Sequence, residues 1–423
     1  MPRTLVVADD LTGATDTAHS FAKRGYETAV QVDSNRTPPD ATVLAVTTDS
    51  RYADPEIAAG RVQGAIETTN TRVVYKKVDS TLRGNVVSEI RSAMSCGFDL
   101  ALFAPASPAL GRITAGGYHL VDGQLLTDTE YADDPNGPPN AHLPTLLADA
   151  ESPIESLGVE VVAAGSGSVR EALAGVPSGT LVACDATHER HLEAIARTGS
   201  ELDGPTLYVG SAGLAAHVAV SGEPNSEPRR IVGDGGSLGI IGSVSERSLD
   251  QLSTLPTEWI LALDPEEMLA GSEDAGRKAG QRATKRLANG EHAVVTAAQD
   301  REAVDRTLEL GREGGLYDEV IRTRVANALA SAARAGIEEA AGMFVTGGDV
   351  AMATFDALEV RALSLSGEEV EAGIPASRID GGIADGTPVV TKAGGFGHEG
   401  TVINCLRFLG NDHEYAHDRN HDG

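Results

Sequence analysis

The sequence predicts an α/β protein of two domains, each a mainly parallel sheet flanked by helices. Three observations carry that expectation. Short apolar runs of strand length alternate with amphipathic stretches along most of the chain, the pattern of parallel strands joined by crossover helices. The 423 residues exceed one domain at roughly 100 to 200 residues each. Finally, the polar stretch SGEPNSEPRR at 221–230 carries two prolines and interrupts the alternation midway. The expected division is a first domain over 1–222, a linker over 223–230, a second domain over 231–410 and a tail over 411–423.

In the first domain the strand-like runs fall at 5–8, 42–46, 73–75, 100–104, 159–163, 180–183 and 206–209. A helix is expected from Gly13 through 14–23, and others over 54–68 and 84–94, where apolar residues recur at helical spacing. Beyond the linker the runs resume at 238–241, 259–263, 293–296, 343–346 and 388–391. The tail, NDHEYAHDRNHDG, holds three histidines among carboxylates. It offers metal-ligand chemistry, but a frayed polar terminus is the simpler reading.

Apolar residues make up 41% and aromatics 4%, enough to bury large cores with few rings. Thirty-four basic against 62 acidic residues leave a net charge of −28. Six of the basic residues are lysines: Lys23, Lys76, Lys77, Lys278, Lys285 and Lys392. Such a charge repels phosphate backbones and acidic lipid, which argues against nucleic-acid or membrane partners. With lysine so scarce, it also fits a halophile-like surface adapted to high salt, where screening removes self-repulsion. Cys96, Cys184 and Cys405 lie far apart without a pairing pattern and read as reduced thiols. With neither a signal peptide nor a membrane-length apolar run, a cytoplasmic location is expected.

Strand 5–8 ends at Asp9 and Asp10, directly before Leu11-Thr12-Gly13. Ligands of doubly wound sheets bind beyond the carboxyl ends of strands. One acid, Asp10, or else Thr12, suffices to cap the helix, so the second carboxylate is left over. An aspartate-nucleophile phosphatase also places an acid after its first strand, but spaces its pair by two residues. The second constellation is YKKVDSTLRGN, 75–85, another strand end with Lys76, Lys77, Asp79, Ser80, Thr81 and Arg83. Arg83 offers a planar fork for a carboxylate, and Ser80 and Thr81 offer hydroxyls. A capped helix start with solvated cations is the plain alternative. A third polar loop, FAPASPALGRITAGG at 103–117, follows the strand at 100–104. Together they suit a small polyhydroxy acid.

The second domain repeats a strand–glycine–helix turn three times: IIGSVSE at 240–246, FVTGGDVA at 344–351 and VVTKAGGFGHEG at 389–400. Each puts backbone N–H groups where phosphate oxygens can meet them. GFGHEG matches GxGxxG, but the chain ends before a dinucleotide-binding unit can close, and no Walker P-loop is present.

ADDLTGATD (8–16), KVDSTLRGN (77–85), APASPALGR (104–112), GSAGLA (210–215), GSVS (242–245), TGGDVA (346–351) and KAGGFG (392–397) resemble, in order, the motifs of the four-carbon acid sugar kinases. The resemblance covers nearly the whole chain. It implies a sugar-acid-binding N-terminal domain and a nucleotide-binding C-terminal domain, with the active site in the cleft between them. It implies that Asp9, Asp10, Lys76 or Lys77, Asp79, Ser80 and Arg83 face the acid. It likewise implies that Ser243, Ser245, Thr346, Gly347, Gly348, Asp349, Val350, Gly394, Gly395 and Gly397 face ATP. Val350 stands where a threonine or small residue is more usual in the family.

The implied reaction is attack of a hydroxyl, that on C4 of threonate, erythronate or 3-oxotetronate, on the γ-phosphate of MgATP. Asp9, Asp10 and Asp349 are the candidate catalytic residues: one of the Asp9/Asp10 pair orients or deprotonates the hydroxyl, and Asp349 acts through Mg²⁺ or a phosphate-bound water. A sugar-acid phosphatase or a non-catalytic sugar-acid sensor are the rival readings. The sequence admits a homodimer without specifying one.

Overall fold

The computed structural model describes residues 2–33, 36–69, 71–225 and 227–410. The histidine-rich tail lies outside the described residues. The chain divides into two units: residues 2–30 with 40–225, and residues 31–33 and 36–39 with 227–410.

The first unit is built on strands β1 (Thr4–Ala8), β2 (Thr28–Gln31), β3 (Val43–Thr47), β4 (Val73–Lys77) and β5 (Leu100–Ala104), followed by a small antiparallel sheet of β6 (Arg112–Ala115), β7 (Tyr118–Val121) and β8 (Gln124–Leu125). β9 (Ile154–Leu157), β10 (Thr180–Cys184) and β11 (Thr206–Gly210) complete it. The main sheet runs β2-β3-β1-β4-β11-β5-β10-β9, parallel from β3 onward. Its strands are nearly continuous apolar runs because helices cover both faces. Leu5, Val7, Leu44, Val74, Phe103 and Leu207 pack into one core with Val62 and Ile66 of the Pro55–Thr69 helix and Ile90 of the Val86–Met94 helix.

The Leu11–Ala22 helix starts two residues earlier than the glycine suggests, because Asp10 is its cap and its carboxylate accepts the Gly13 N–H at 2.7 Å. Residues 159–163 overturn the strand expected there. Val159–Ala163 is a short helix, and the edge strand is the preceding β9. The valines favour a strand, but Gly158 turns the chain and the buried Asp185 carboxylate accepts the Val159 N–H at 3.2 Å, fixing a helix start.

The second unit holds β12 (Leu238–Ile241), β13 (Ile260–Ala262), β14 (Ala293–Thr296), β15 (Met343–Thr346), β16 (Ala362–Glu371), β17 (Ile374–Asp380) and β18 (Pro388–Lys392). Their order is β13-β14-β12-β15-β18-β17-β16. The first five are parallel and the last two are joined antiparallel. The β16–β17 hairpin is absent from the sequence expectation. Its signal was the Ala372-Gly373 turn, where Gly373 takes φ 78° between two alternating segments. Among the described residues no helix is long and apolar enough to cross a membrane.

Candidate functional sites

In the first unit the carboxyl ends of β3, β1 and β4 are neighbours, so the loops after them share one rim. Arg51, from the loop after β3, organises that rim. Its Nε donates to Asp9 Oδ2 at 2.7 Å and its Nη2 to Asp9 Oδ1 at 3.2 Å. Its Nη1 lies 2.9 Å from Asp10 Oδ2, and Nη2 lies 3.9 Å from Asp79 Oδ1. Arg83 grips Asp79 with Nε at 2.7 Å and Nη2 at 3.2 Å, and approaches Asp134 at 3.7 Å. Thr81 Oγ1 also donates to Asp79, at 2.5 Å.

Glycine makes the closeness feasible at two positions. A Cβ on Gly84, at φ 90°, would press on Arg51 Cγ at 3.2 Å. One on Gly13 would lie 2.6 Å from Asp10 Oδ1 and 2.9 Å from Lys77 Nζ. Leu82, buried and at φ 56°, and Asp49, at φ 45°, hold left-handed backbone on either side of the cluster. Such strain persists where the surroundings over-determine it, commonly at functional sites.

The adjacent lysines separate because side chains alternate along β4. Lys77 faces the rim and lies beside Gly13. Lys76 is fully buried and pairs with Glu89 at 2.9 Å, while its ammonium also donates to the Lys77 carbonyl at 2.6 Å. The expectation that Lys76 meets substrate is therefore corrected. The Ser80 carbonyl accepts a hydrogen bond from His119 Nε2 at 2.9 Å. Burial lowers the His119 pKa to about 4, so the ring is neutral at pH 7.

Burial by itself would raise the pKa of Asp9 and Asp79. For Asp9, Arg51, Lys76 and Lys77 outweigh it; for Asp79, Arg51, Arg83 and Lys77 do. Both carboxyls are held below the usual carboxylate range. Burial disfavours the Arg51 charge in turn, yet Asp9, Asp10 and Asp79 raise its pKa well above the ordinary value.

In the second unit the three glycine turns lie at the ends of the neighbouring strands β12, β15 and β18. They touch through small atoms. A Cβ on Gly347, at φ 101°, would lie 3.0 Å from the Ser243 N, and one on Gly394 would collide with Ser243 Oγ. Ser243 Oγ and Ser245 Oγ are 3.3 Å apart, and Ser245 Oγ donates to the Gly394 carbonyl at 2.9 Å. Ser245 also caps the Glu246–Ser253 helix. Gly348 and Asp349 are exposed at the first turn of the Gly348–Ala357 helix, where backbone N–H groups lack helical acceptors.

Two expected nucleotide contacts are corrected there. The Thr346 side chain is buried and donates to the Lys392 carbonyl at 2.9 Å, which ties β15 to β18. Val350 is buried against Gly242, so only its backbone remains available to a ligand. Gly395 is exposed, and Gly397 turns at φ 82° ahead of the Thr401–Gly410 helix.

Residues 4–218 match the family model described as a sugar-binding N-terminal domain, and residues 238–402 one described as a nucleotide-binding C-terminal domain. The D-threonate kinase of Cupriavidus necator is 34% identical over 429 residues, covering 96% of this chain and 97% of its own. The D-threonate kinase of Salmonella typhimurium is 32% identical over 422 residues, covering 96% and 98%. The D-erythronate kinase of Heliobacterium modesticaldum is 30% identical over 441 residues, covering 97% of each. The chain belongs to the four-carbon acid sugar kinases. A solved Salmonella typhimurium LT2 structure shares the fold, with a TM-score of 0.78 at 20% identity over 96% of this chain and 99% of its own. These relatives lend no support to the phosphatase and sensor readings.

Sequence reasoning missed two residues of this sugar acid kinase. Arg51 lies in TDSRYAD, a fourth polar loop at a parallel strand end on the same rim, and that position was the available signal. Lys392 ends β18 as the only lysine of the glycine-turn segments, yet its side chain runs inward rather than toward solvent.

Proposed function

We propose that this chain transfers the γ-phosphoryl group of ATP to the C4 hydroxyl of a four-carbon sugar acid: threonate, erythronate or 3-oxotetronate. One observation carries the assignment of the acid site. Asp9, Asp10 and Asp79 share a rim with Arg51, Arg83 and Lys77 in the unit that matches a sugar-binding domain. Carboxylates there accept from sugar hydroxyls, and Arg83 and Lys77 answer the acid's own carboxylate.

Asp9 is 2% exposed, doubly bonded to Arg51 and held ionised, so its part is to fix the guanidinium. Asp10 keeps more of its side chain open, at 29%, and is the carboxylate we assign to orient the attacking hydroxyl. In the second unit the N–H groups of Gly347–Val350 and Gly394–Gly397, with the Ser243 hydroxyl, would receive the phosphates. Mg²⁺ binds few protein groups and several phosphate oxygens, and the exposed Asp349 at the first helical turn fits that role. When bound, the ion neutralises charge on the β- and γ-phosphates. The chain's own contribution is positioning and the aim of preorganised donors.

The test is ADP release with D-threonate, D-erythronate and 3-oxotetronate at low and high salt, with the phosphorylated carbon located by ³¹P–¹H correlation. Turnover with at least one acid and phosphate on C4 is expected. Absence of ADP with every acid, alongside hydrolysis of a phosphorylated acid, would overturn the assignment.

A further inference from the structure

Lys392 is 2% exposed, and its ammonium has no carboxylate within ion-pair distance among the described residues. Its partners are main-chain carbonyls. Nζ donates to Ala393 O at 2.9 Å and to Gly394 O and Phe396 O at 3.3 Å each, with Ser248 Oγ at 3.5 Å. Burying a cation without a counter-charge is expensive, so a residue that only filled space here would be apolar.

The three carbonyls are informative through the planarity of the peptide. In a trans unit the C=O of one residue and the N–H of the next point in opposite directions. Drawing in the carbonyls of Ala393, Gly394 and Phe396 therefore turns out the N–H groups of Gly394, Gly395 and Gly397. Those are the three glycines of the turn. The remaining peptide behaves oppositely: the Phe396 N–H bonds back to Ala393 O at 3.2 Å. Among the described residues the three glycine N–H groups donate to no protein acceptor.

Neighbours hold the same carbonyl face. Ser245 Oγ and Ser248 Oγ donate to Gly394 O at 2.9 and 3.1 Å, Gln251 Nε2 to Phe396 O at 3.1 Å, and Arg247 Nη1 to Gly397 O at 3.1 Å. We propose that Lys392 is a positioning residue for nucleotide binding: from behind the turn it holds the N–H groups of Gly394, Gly395 and Gly397 outward, toward phosphate oxygens. The inference rests on the nucleotide-binding reading of this unit. It gives the buried charge a second effect, a positive field behind the bound anion.

Burial pulls the Lys392 pKa from 10.5 to about 8. The charged and titratable groups facing it are Cys405 from the Thr401–Gly410 helix, Arg247 from the Glu246–Ser253 helix and Glu371 from β16. Burial pushes the Cys405 thiol up, so that it stays neutral. Glu371 is bonded to Thr401 Oγ1 at 2.5 Å, Asn404 Nδ2 at 2.9 Å and His398 Nε2 at 3.1 Å.

The experiment is calorimetric titration of the full chain with MgADP from about pH 7 to about pH 9.5, for the wild type and Lys392→Met. The wild type should weaken about tenfold across that range as the ammonium loses its proton. Lys392→Met should bind about tenfold more weakly at neutral pH with a flat profile, and sugar-acid affinity should be unchanged. A folded Lys392→Met that matches the wild type at neutral pH would overturn the proposal, as would a wild-type affinity constant with pH. If the variant does not fold, the wild-type profile alone decides. A wild type that binds no MgADP at any pH removes the nucleotide-binding reading itself, a result distinguishable from either failure.

Discussion

Arg51 presents three nitrogens to three carboxylates, and the consequences for Asp9 and Asp10 differ because their burial differs. Asp9→Asn removes the charge that fixes Arg51, whereas Asp10→Asn removes the more open oxygen assigned to the hydroxyl. Asp10→Asn should therefore lower kcat about a hundredfold or more with little change in the sugar-acid KM. Asp9→Asn and Arg51→Met should raise that KM as well, because the rim loses its organiser. Steady-state kinetics on each variant checks the split, and equal, near-full turnover by both asparagine variants would make the pair structural. Asp79 bears on stability. Its pKa lies below the unfolded value of 3.8 because Arg51, Arg83 and Lys77 overcome the cost of burial. Its stabilising effect is thus present above about pH 4 and is lost as pH falls toward the folded pKa. Asp79→Asn should cost on the order of 2 kcal/mol at pH 7, with the gap from wild type closing below about pH 4 in urea unfolding. The Asp9–Asp10 pair was legible in the sequence because a helix cap accounts for only one of two adjacent carboxylates at a strand end. Arg51 was not, because its partners lie 42, 41 and 28 residues away in sequence and meet it only when β3, β1 and β4 lie side by side.

Strand and helix periods are local, and that is why most of the parallel framework could be read in advance. The apolar runs that became β1, β4, β5 and β10 in the first unit and β12, β14 and β15 in the second are continuous because both sheet faces are covered. Where a long-range contact decides, the reading failed: Asp185 turns 159–163 into a helix, and pairing across Ala372-Gly373 makes a hairpin of an unmarked segment. Glycine inside a helix is a similar case, since it lowers helix propensity and looks like a weakness. In the Ser272–Leu287 helix, Gly276 and Gly280 are where the backbone of the Asp318–Gly336 helix comes closest. A Cβ on Gly280 would collide with the Ala332 carbonyl and lie 2.6 Å from Ala335 Cβ, and one on Gly276 would lie 2.9 Å from Ser331 Cβ. Gly280→Val should therefore force the two helices apart at a cost of about 2–3 kcal/mol. Trp259, the chain's one tryptophan, belongs to this second unit and packs edge-on against His292 with ring centroids 4.5 Å apart. Its fluorescence thus reports unfolding of that unit, and the urea midpoint it records should fall in the variant. An unchanged midpoint would mean that the helix pair has slack the geometry does not show.

Charge acts on the molecule as a whole, and at −28 its sign is one-sided enough to matter for stability. Exposed ion pairs do exist, such as Arg312 with Asp318 at 2.7 Å, Lys278 with Glu267 at 3.2 Å and Arg277 with Asp274 at 2.7 Å. Such exposed pairs contribute little to stability and weaken with salt. Carboxylates outnumber the cations that could pair with them, and their mutual repulsion is relieved as the screening length contracts from about 10 Å at 0.1 M to about 3 Å at 1 M. With 62 acids against 34 bases, relief of repulsion outweighs loss of the surface pairs. The part-buried Arg51 cluster and the fully buried Lys76–Glu89 pair are less open to mobile ions than the surface pairs and should change less. Raising KCl from about 0.1 M to about 2 M should therefore increase Tm by several degrees. The sugar-acid KM should rise much less than a surface-charge site would show, because the rim proposed to hold the acid is already internally neutralised. Calorimetry and kinetics over the same salt series test both halves together. A Tm that falls with KCl would mean that the surface pairs dominate and that the acidic surface is not an adaptation to salt.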